Sequence, residues 1–311
     1  MKKIEKVSII GLGAIGAAYA SKIYESDSKS LQIIADSERI ERYKSEGFNV
    51  NGNHYEFNYI TPEENTEPAD LILVAVKYSG LQQAIKDMKK HVGPQTIILS
   101  LMNGIASEEM IAATYGDENL LYGMCVAIDA VRERNTIQFS GIGKICFGEE
   151  LNTTHSPNVQ LVKEFFEQVK IPYEIPENML RTMWWKFMIN VGVNQTSAVL
   201  RGNYQVFQEV PKARQLMIDA MQEVVTLSEK VGINLTSKDI DEFLVILDAL
   251  SPQGKTSMLQ DIEAGRKTEV EYLAGKVSEL GQHYLIPTPI NDMLLNLINI
   301  IEQAALVNKG K

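Results

Sequence analysis

Val7-Ser8-Ile9-Ile10-Gly11-Leu12-Gly13-Ala14-Ile15-Gly16 is the stretch around which the rest of the chain is arranged. Its first four residues are an apolar run, read as a buried strand. They open into Gly11-Leu12-Gly13-Ala14-Ile15-Gly16, and the small residues Ala17, Ala18 and Ala20 continue as a helix. Strand, glycine turn and helix in that order form the dinucleotide fingerprint in its proper setting. Gly11 permits the tight turn, Gly13 has no side chain to hold a pyrophosphate off the backbone, and Gly16 lets the helix lie close to the strand. The new helix offers its unpaired N–H groups and positive dipole end to phosphates. Gly11, Leu12, Gly13, Ala14, Ile15 and Gly16 are therefore the first candidate cofactor residues.

A secretory signal competes for the same residues, because Met1 to Ala20 has a basic start, an apolar run and an Ala18-Tyr19-Ala20 ending. Three glycines at fingerprint spacing inside the run, and Glu5 in its basic start, count against it. The 311 residues are enough for two ordinary domains, and 45% hydrophobic with 23% charged residues is the composition of a soluble globular protein. A net charge of −10, with Lys and Arg dispersed, argues against a nucleic-acid surface. No uninterrupted apolar run reaches the ~20 residues of a membrane span. Cys125 and Cys146 fall in strand-like runs and read as buried free thiols of a reducing, cytoplasmic setting. His54, His91, His155 and His283 are scattered, so no metal site is expected.

After the fingerprint helix, Leu31 to Ala35 reads as a second strand ending at Asp36, 20 positions beyond Gly16. An acid there holds the ribose 2′-hydroxyl of NAD and repels the 2′-phosphate of NADP. It equally suits a cap for a helix starting near Ser37. Arg39 and Arg42 follow closely and could still contact a phosphate. Asn51-Gly52 within 48–60 is a hairpin signal. Ala69 to Val76 is a continuous apolar strand of the kind buried on both faces of a parallel sheet, and Lys77 stands at its end. Gln95 to Leu101 is another, meeting Met102-Asn103-Gly104. Lys77 and Asn103 thus fall at strand C-termini, the edge where open α/β sheets bind ligands. A solvated lysine and a plain Asn-Gly turn are the competing readings. A helix should start at Ser107. Leu120–Val131 and Thr136–Gly148 read as two strands joined by a polar turn, followed by a helix over 158–169 and a short strand over 171–175.

From Asn178 onward helical periodicity takes over, with helices expected over 179–200, 210–231, 237–250, 268–284 and 290–307. The first carries Trp184-Trp185-Lys186-Phe187-Met188-Ile189-Asn190-Val191-Gly192-Val193-Asn194. Lys186, Asn190 and Asn194, spaced by four, form one polar stripe on an apolar helix. An amine and two amides are costly to bury without a ligand or partner. The stripe faces a site or, alternatively, forms a structural seam. A second polar cluster holds Ser257, suited to gripping a carboxylate or hydroxyl, and Glu269. Glu269 is placed to begin the next helix, where its carboxylate would also be stabilised by the dipole.

With these motifs in view, the whole chain resembles the ketopantoate reductases (2-dehydropantoate 2-reductases). The resemblance is carried by GLGAIG at 11–16, VAVK ending at Lys77, MNG at 102–104, WWKFMINVGVN at 184–194 and TSMLQDIEAGRKTE at 256–269. It implies an α/β N-terminal Rossmann-type domain with a parallel sheet over 1–177 and an all-α C-terminal domain over 178–311. It implies Lys186 as general acid and Glu269 as an aid to binding and catalysis. Asn190, Asn194 and Ser257 would hold the substrate, and Lys77 and Asn103 would stand where cofactor meets substrate. The expected cofactor is NADP (NADPH), with NAD open as the alternative because of Asp36, an acid where well-known members carry a base. NAD-dependent D-2-hydroxyacid dehydrogenases of the mandelate type share the acid. Gly254 stands where some members place a substrate-binding asparagine. The expected partner is a small 2-oxo acid, with no nucleic acid, no membrane and a homodimer compatible with the apolar last helices. A non-catalytic nucleotide sensor is the third reading.

Overall fold

A computed structural model describes residues 3–309. The chain forms two compact units, Met1–Leu180 and Arg181–Lys311. The first begins with β1 (Val7–Ile10), α1 (Ala14–Ser26), β2 (Leu31–Ile34), α2 (Ser37–Glu46), β3 (Phe48–Val50), β4 (Asn53–Tyr55) and β5 (Tyr59–Ile60). It continues with β6 (Leu71–Val74), α3 (Tyr78–Asp87), β7 (Ile97–Ser100), α4 (Ser107–Tyr115) and β8 (Leu120–Val126). β9 (Val131–Glu133), β10 (Thr136–Gln138), β11 (Lys144–Gly148), α5 (Pro157–Gln168) and β12 (Tyr173–Glu174) complete it.

Eight strands form one sheet in the order β5-β2-β1-β6-β7-β8-β11-β12. Its first six follow the 3-2-1-4-5-6 winding of a dinucleotide-binding sheet. All neighbours are parallel except β8 and β11. β1, β6 and β7 are buried at every residue, as continuous apolar runs between helical layers must be. β1 is paired on both sides, so the stretch that also resembled a signal is the middle of the sheet.

Asn51 (φ 49°) and Gly52 (φ 84°) make the expected hairpin turn between β3 and β4. That hairpin joins a second, four-stranded sheet, β4-β3-β10-β9. Here the structure departs from two long strands over 120–131 and 136–148. Both break, and the ends next to their connecting turn leave as the β9–β10 hairpin. The break has a backbone cause. Ala127 has φ 56° and Gly143 has φ 62°. A Cβ on Gly143 would stand 2.2 Å from the Val126 carbonyl oxygen, so the strands cross too closely for a side chain. Asp129 pins the crossing by accepting from the backbone N–H groups of Ser140 (2.9 Å) and Gly141 (3.0 Å) and from the Ser140 hydroxyl.

The second unit is helical: α6 (Met179–Ile189), α7 (Gln195–Leu200), α8 (Tyr204–Glu209), α9 (Pro211–Lys230), α10 (Ser237–Ala249), α11 (Ser257–Glu263), α12 (Ala274–Tyr284) and α13 (Pro289–Lys309). The helix expected over 179–200 is continuous, but Asn190–Asn194 is wound as a π-helix between α6 and α7. Packing against α9 accompanies the wider turn, for a Cβ on Gly192 would meet Met221 Cε at 2.4 Å. The π winding frees carbonyls that the next two side chains take up: Gln195 Nε2 donates to Val191 O (2.7 Å) and Thr196 Oγ1 to Gly192 O (2.7 Å). Fully buried Gln195 also donates to Asn291 Oδ1 (3.1 Å) and accepts from Ala274 N (2.9 Å), tying α7 to α13 and α12.

The helix expected from Thr268 begins only at Ala274, after an isolated 3₁₀ turn at Val270–Tyr272. Thr268 is diverted: its N–H and hydroxyl both donate to Glu302 Oε1, at 2.7 and 2.6 Å. α13, over Pro289–Val307, is long and apolar enough by length and composition to cross a membrane. In this fold Leu294 and Ile298 on it are fully buried, and its Asn291 is bonded to Glu223 of α9.

Candidate active-site residues

In the first unit the expected cofactor residues line one edge. Asp36, Gly11–Gly16, Lys77 and Asn103 follow the C-terminal ends of β2, β1, β6 and β7, which are neighbours in that order. The strand order reverses between β1 and β6, the switch point at which such sheets bind ligands. The glycines are demanded by distance. A Cβ on Gly11 (φ 103°) would stand 2.6 Å from Ala75 O, and one on Gly16 would stand 1.9 Å from Gly11 O. A Cβ on Gly13 would have only Ala75 O near it, at 3.8 Å. The fold therefore needs Gly11 and Gly16 for its own packing, whereas Gly13 leaves space for a ligand. No side chain caps α1. Its first N–H groups thus keep the open valence that a phosphate fills. Leu12 is buried in the core and Ile15 packs against it, so these two, like Ala14, offer backbone rather than side chain.

Asp36 is the N-cap of α2: its Oδ1 accepts from Arg39 N at 2.8 Å, and its Oδ2 lies 3.3 Å from Arg39 Nε. The capping reading is thus realised, and the carboxylate remains at the end of β2. Arg42 lies over the Tyr43 ring, 5.4 Å from its centroid. Lys77 is exposed at the start of α3. Tyr78, beside it, escaped the sequence reading. Its buried hydroxyl accepts from Ala106 N at 3.3 Å and lies under Gly104, where a Cβ would meet it at 2.8 Å. Tyr78 thereby fixes the Asn103 loop against the Lys77 turn. The only signal for this in the sequence is an aromatic directly after Lys77.

A buried hydroxyl chain under the same loop was also not foreseen. Ser100 Oγ and Ser107 Oγ are 2.8 Å apart, Met102 N donates to Ser100 Oγ at 3.3 Å, and Ser107 Oγ donates to Glu108 Oε2 at 2.8 Å. Glu108 reads in sequence as an acid in the first turn of a helix, but it is 3% exposed and its Oε1 has no hydrogen-bond partner. Burial pushes its carboxyl up to about 7, outweighing the Ser107 hydroxyl.

In the second unit Lys186 and Asn190 are half-buried and Asn194 is 9% exposed. The π segment takes more residues per turn than an α-helix, which brings positions four apart closer to eclipsed and straightens the Asn190–Asn194 part of the stripe. Among the described residues neither side-chain amide has a hydrogen-bond partner. Trp185 Nε1 is likewise buried without an acceptor. One turn further on, Ser197 Oγ lies 2.5 Å from Thr256 Oγ1, and Thr256 caps α11 by accepting from Leu259 N. That bond sets exposed Ser257, the first residue of α11, beside the continuation of the stripe. Glu269 is half-buried just before the 3₁₀ turn and does not cap it with its side chain, contrary to the helix-start reading. The place of Gly254 is explained by packing. A Cβ there would be 2.7 Å from the Tyr204 ring, so Tyr204 occupies the space an asparagine would need.

Both units can now be set beside known proteins. The model described as ketopantoate reductase PanE/ApbA matches residues 7–152, and its C-terminal counterpart matches 178–302. The chain belongs to the ketopantoate reductase family. Its members are oxidoreductases on a Rossmann-type domain followed by a helical one. A 2-dehydropantoate 2-reductase of Streptococcus pyogenes is 23% identical over 95% of this chain and 97% of its own length. That of Aquifex aeolicus is 24% identical over 96% and 97%. Among solved structures, a D-mandelate dehydrogenase with NADH and anilino(oxo)acetate superposes with TM-score 0.85 at 21% identity, covering 96% of this chain and 99% of that one. A dimeric ketopantoate reductase of Staphylococcus aureus gives 0.79 at 19% identity over 96% and 99%. Family membership supports a nicotinamide cofactor.

Proposed function

We propose that the protein is a 2-dehydropantoate 2-reductase, reducing ketopantoate to D-pantoate with NADPH. The observation that carries this reading is the stripe Lys186, Asn190, Asn194. It is an amine and two amides on an otherwise apolar helix, the two amides without hydrogen-bond partners among the described residues, in a chain matched along both halves by one family. When bound, a reduced nicotinamide supplies hydride to the ketone carbon. The chain's own residues do the rest. N–H groups at the start of α1 hold the pyrophosphate, and Asp36 stands at the adenosine ribose. Lys77 and Asn103, held together through Tyr78, orient the nicotinamide end. Asn190, Asn194 and the Ser257 hydroxyl grip the substrate, and Glu269 assists binding and catalysis. Lys186, as ammonium, donates to the keto oxygen and yields its proton as negative charge develops there. The setting we propose is cytoplasmic, where Cys125 and Cys146 stay as the buried free thiols observed.

Asp36 supports a second reading, an NAD-dependent D-2-hydroxyacid dehydrogenase of the mandelate type, because its carboxylate would repel a 2′-phosphate. One experiment separates the two: oxidation of NADPH and NADH, each with ketopantoate and with phenylglyoxylate. Turnover of ketopantoate with NADPH is expected. Preference for phenylglyoxylate with NADH would install the second reading. Binding of either cofactor without oxidation by any 2-oxo acid would leave a nucleotide sensor.

A further inference from the structure

Arg132 is a half-buried cation for which the described residues supply no counter-charge within ion-pair distance. It sits on β9, in the hairpin that leaves the main sheet. Nη1 donates to the carbonyl oxygen of Leu12, inside the glycine turn. Nε donates to Arg134 O at 2.5 Å, and Nη2 to Asn135 Oδ1 at 3.3 Å. The guanidinium carbon lies 5.6 Å from the centroid of the Phe48 ring. Every one of these partners is neutral. Among the described residues no carboxylate comes within ion-pair distance of this guanidinium. The carboxylate of Glu46 reaches only the far side of Asn135, accepting from its Nδ2 at 3.0 Å.

A buried or half-buried charge is costly unless an opposite charge or ligand meets it. The carbonyl of Leu12 satisfies one N–H and leaves the charge standing. Three of the five guanidinium N–H groups are engaged, so one on each terminal nitrogen is left. Those two remain to be donated, and a guanidinium is the side chain suited to phosphate oxygens. The geometry points to Arg132 as an anion contact for a dinucleotide phosphate at the glycine turn, delivered from the β9–β10 hairpin. This rests on the reading of Gly11–Gly16 as a dinucleotide site. The phosphate is either the pyrophosphate or an adenosine 2′-phosphate, and the test separates them.

The test measures equilibrium binding of ADP-ribose, 2′-phospho-ADP-ribose and adenosine to wild-type protein, Arg132→Met and Arg132→Lys, by calorimetry at two salt concentrations. Arg132→Met should lose roughly 10- to 100-fold in affinity for the phosphate ligands, with adenosine unaltered and salt dependence reduced. Arg132→Lys should recover part of the loss. Equal losses for both phosphate ligands would assign the pyrophosphate, and a loss confined to the second would assign the 2′-phosphate. Unaltered phosphate affinity, or adenosine weakened in parallel, would mean that Arg132 only props the turn, and would overturn the inference. If wild-type protein bound none of the ligands, the cofactor reading itself would fail and this inference with it.

Discussion

Replacing Glu108 by Gln should change the pH dependence of stability of the first unit. The carboxyl is shut in the core beneath the Asn103 loop and titrates at about 7 in the folded chain, against 4.5 when exposed. A carboxyl raised in this way is bound to its proton more tightly in the folded than in the unfolded state. Its contribution is therefore fully present below about pH 4.5 and is lost as pH rises toward 7. The difference corresponds to about 3 kcal/mol withdrawn from the wild type by pH 8. A neutral Gln of nearly the same shape has no such penalty. The two proteins should thus melt close together at pH 4.5 and diverge above it, Gln becoming the more stable by on the order of 5–10 °C at pH 8. Far-UV circular dichroism from pH 4.5 to 8.5 reads this. Both tryptophans, Trp184 and Trp185, lie in the second unit, so their emission gives an internal control. Amide exchange in β7 and β8 would localise the effect. Melting curves that stay parallel across this range would refute the argument, because the Glu108 carboxyl would then be solvated rather than shut in the core.

Lys186→Ala should lower turnover by about 10²–10⁴-fold while cofactor binding, read by fluorescence titration, is retained; near-normal turnover would remove Lys186 from the proton-donor role. Gly13→Ala should fold and melt like the wild type, since its Cβ meets nothing closer than 3.8 Å, yet lose dinucleotide affinity. Gly16→Ala should instead destabilise the first unit outright, its Cβ falling 1.9 Å from Gly11 O; equal melting temperatures for the two variants would contradict this division. Asp36→Ser keeps an N-cap for α2 but removes the carboxylate, so its ratio of NADPH to NADH affinity should rise with little change in stability. An unaltered ratio would show that Asp36 only caps the helix.

Much of the site could be read from local pattern. The glycine turn declares itself because its three glycines have separate steric duties at fixed spacing, and β1, β6 and β7 declare themselves as unbroken apolar runs. The Lys186, Asn190, Asn194 stripe is legible because helical periodicity places residues four apart on one face. These are short-range properties, set by backbone geometry within a few residues, and the sequence by itself determined them. Tertiary structure decided what depends on meetings across long separations. The 120–148 region bends out of the main sheet because of close crossings at Ala127 and Gly143. The π segment forms in a helix packed close against Met221. Glu108 is an interior acid rather than a surface one, Tyr78 latches the Asn103 loop, Tyr204 takes the space beside Gly254, and Arg132 reaches Leu12 across 120 positions of chain. Burial and charge compensation belong to neighbours that folding brings together, so no local window of sequence carries them.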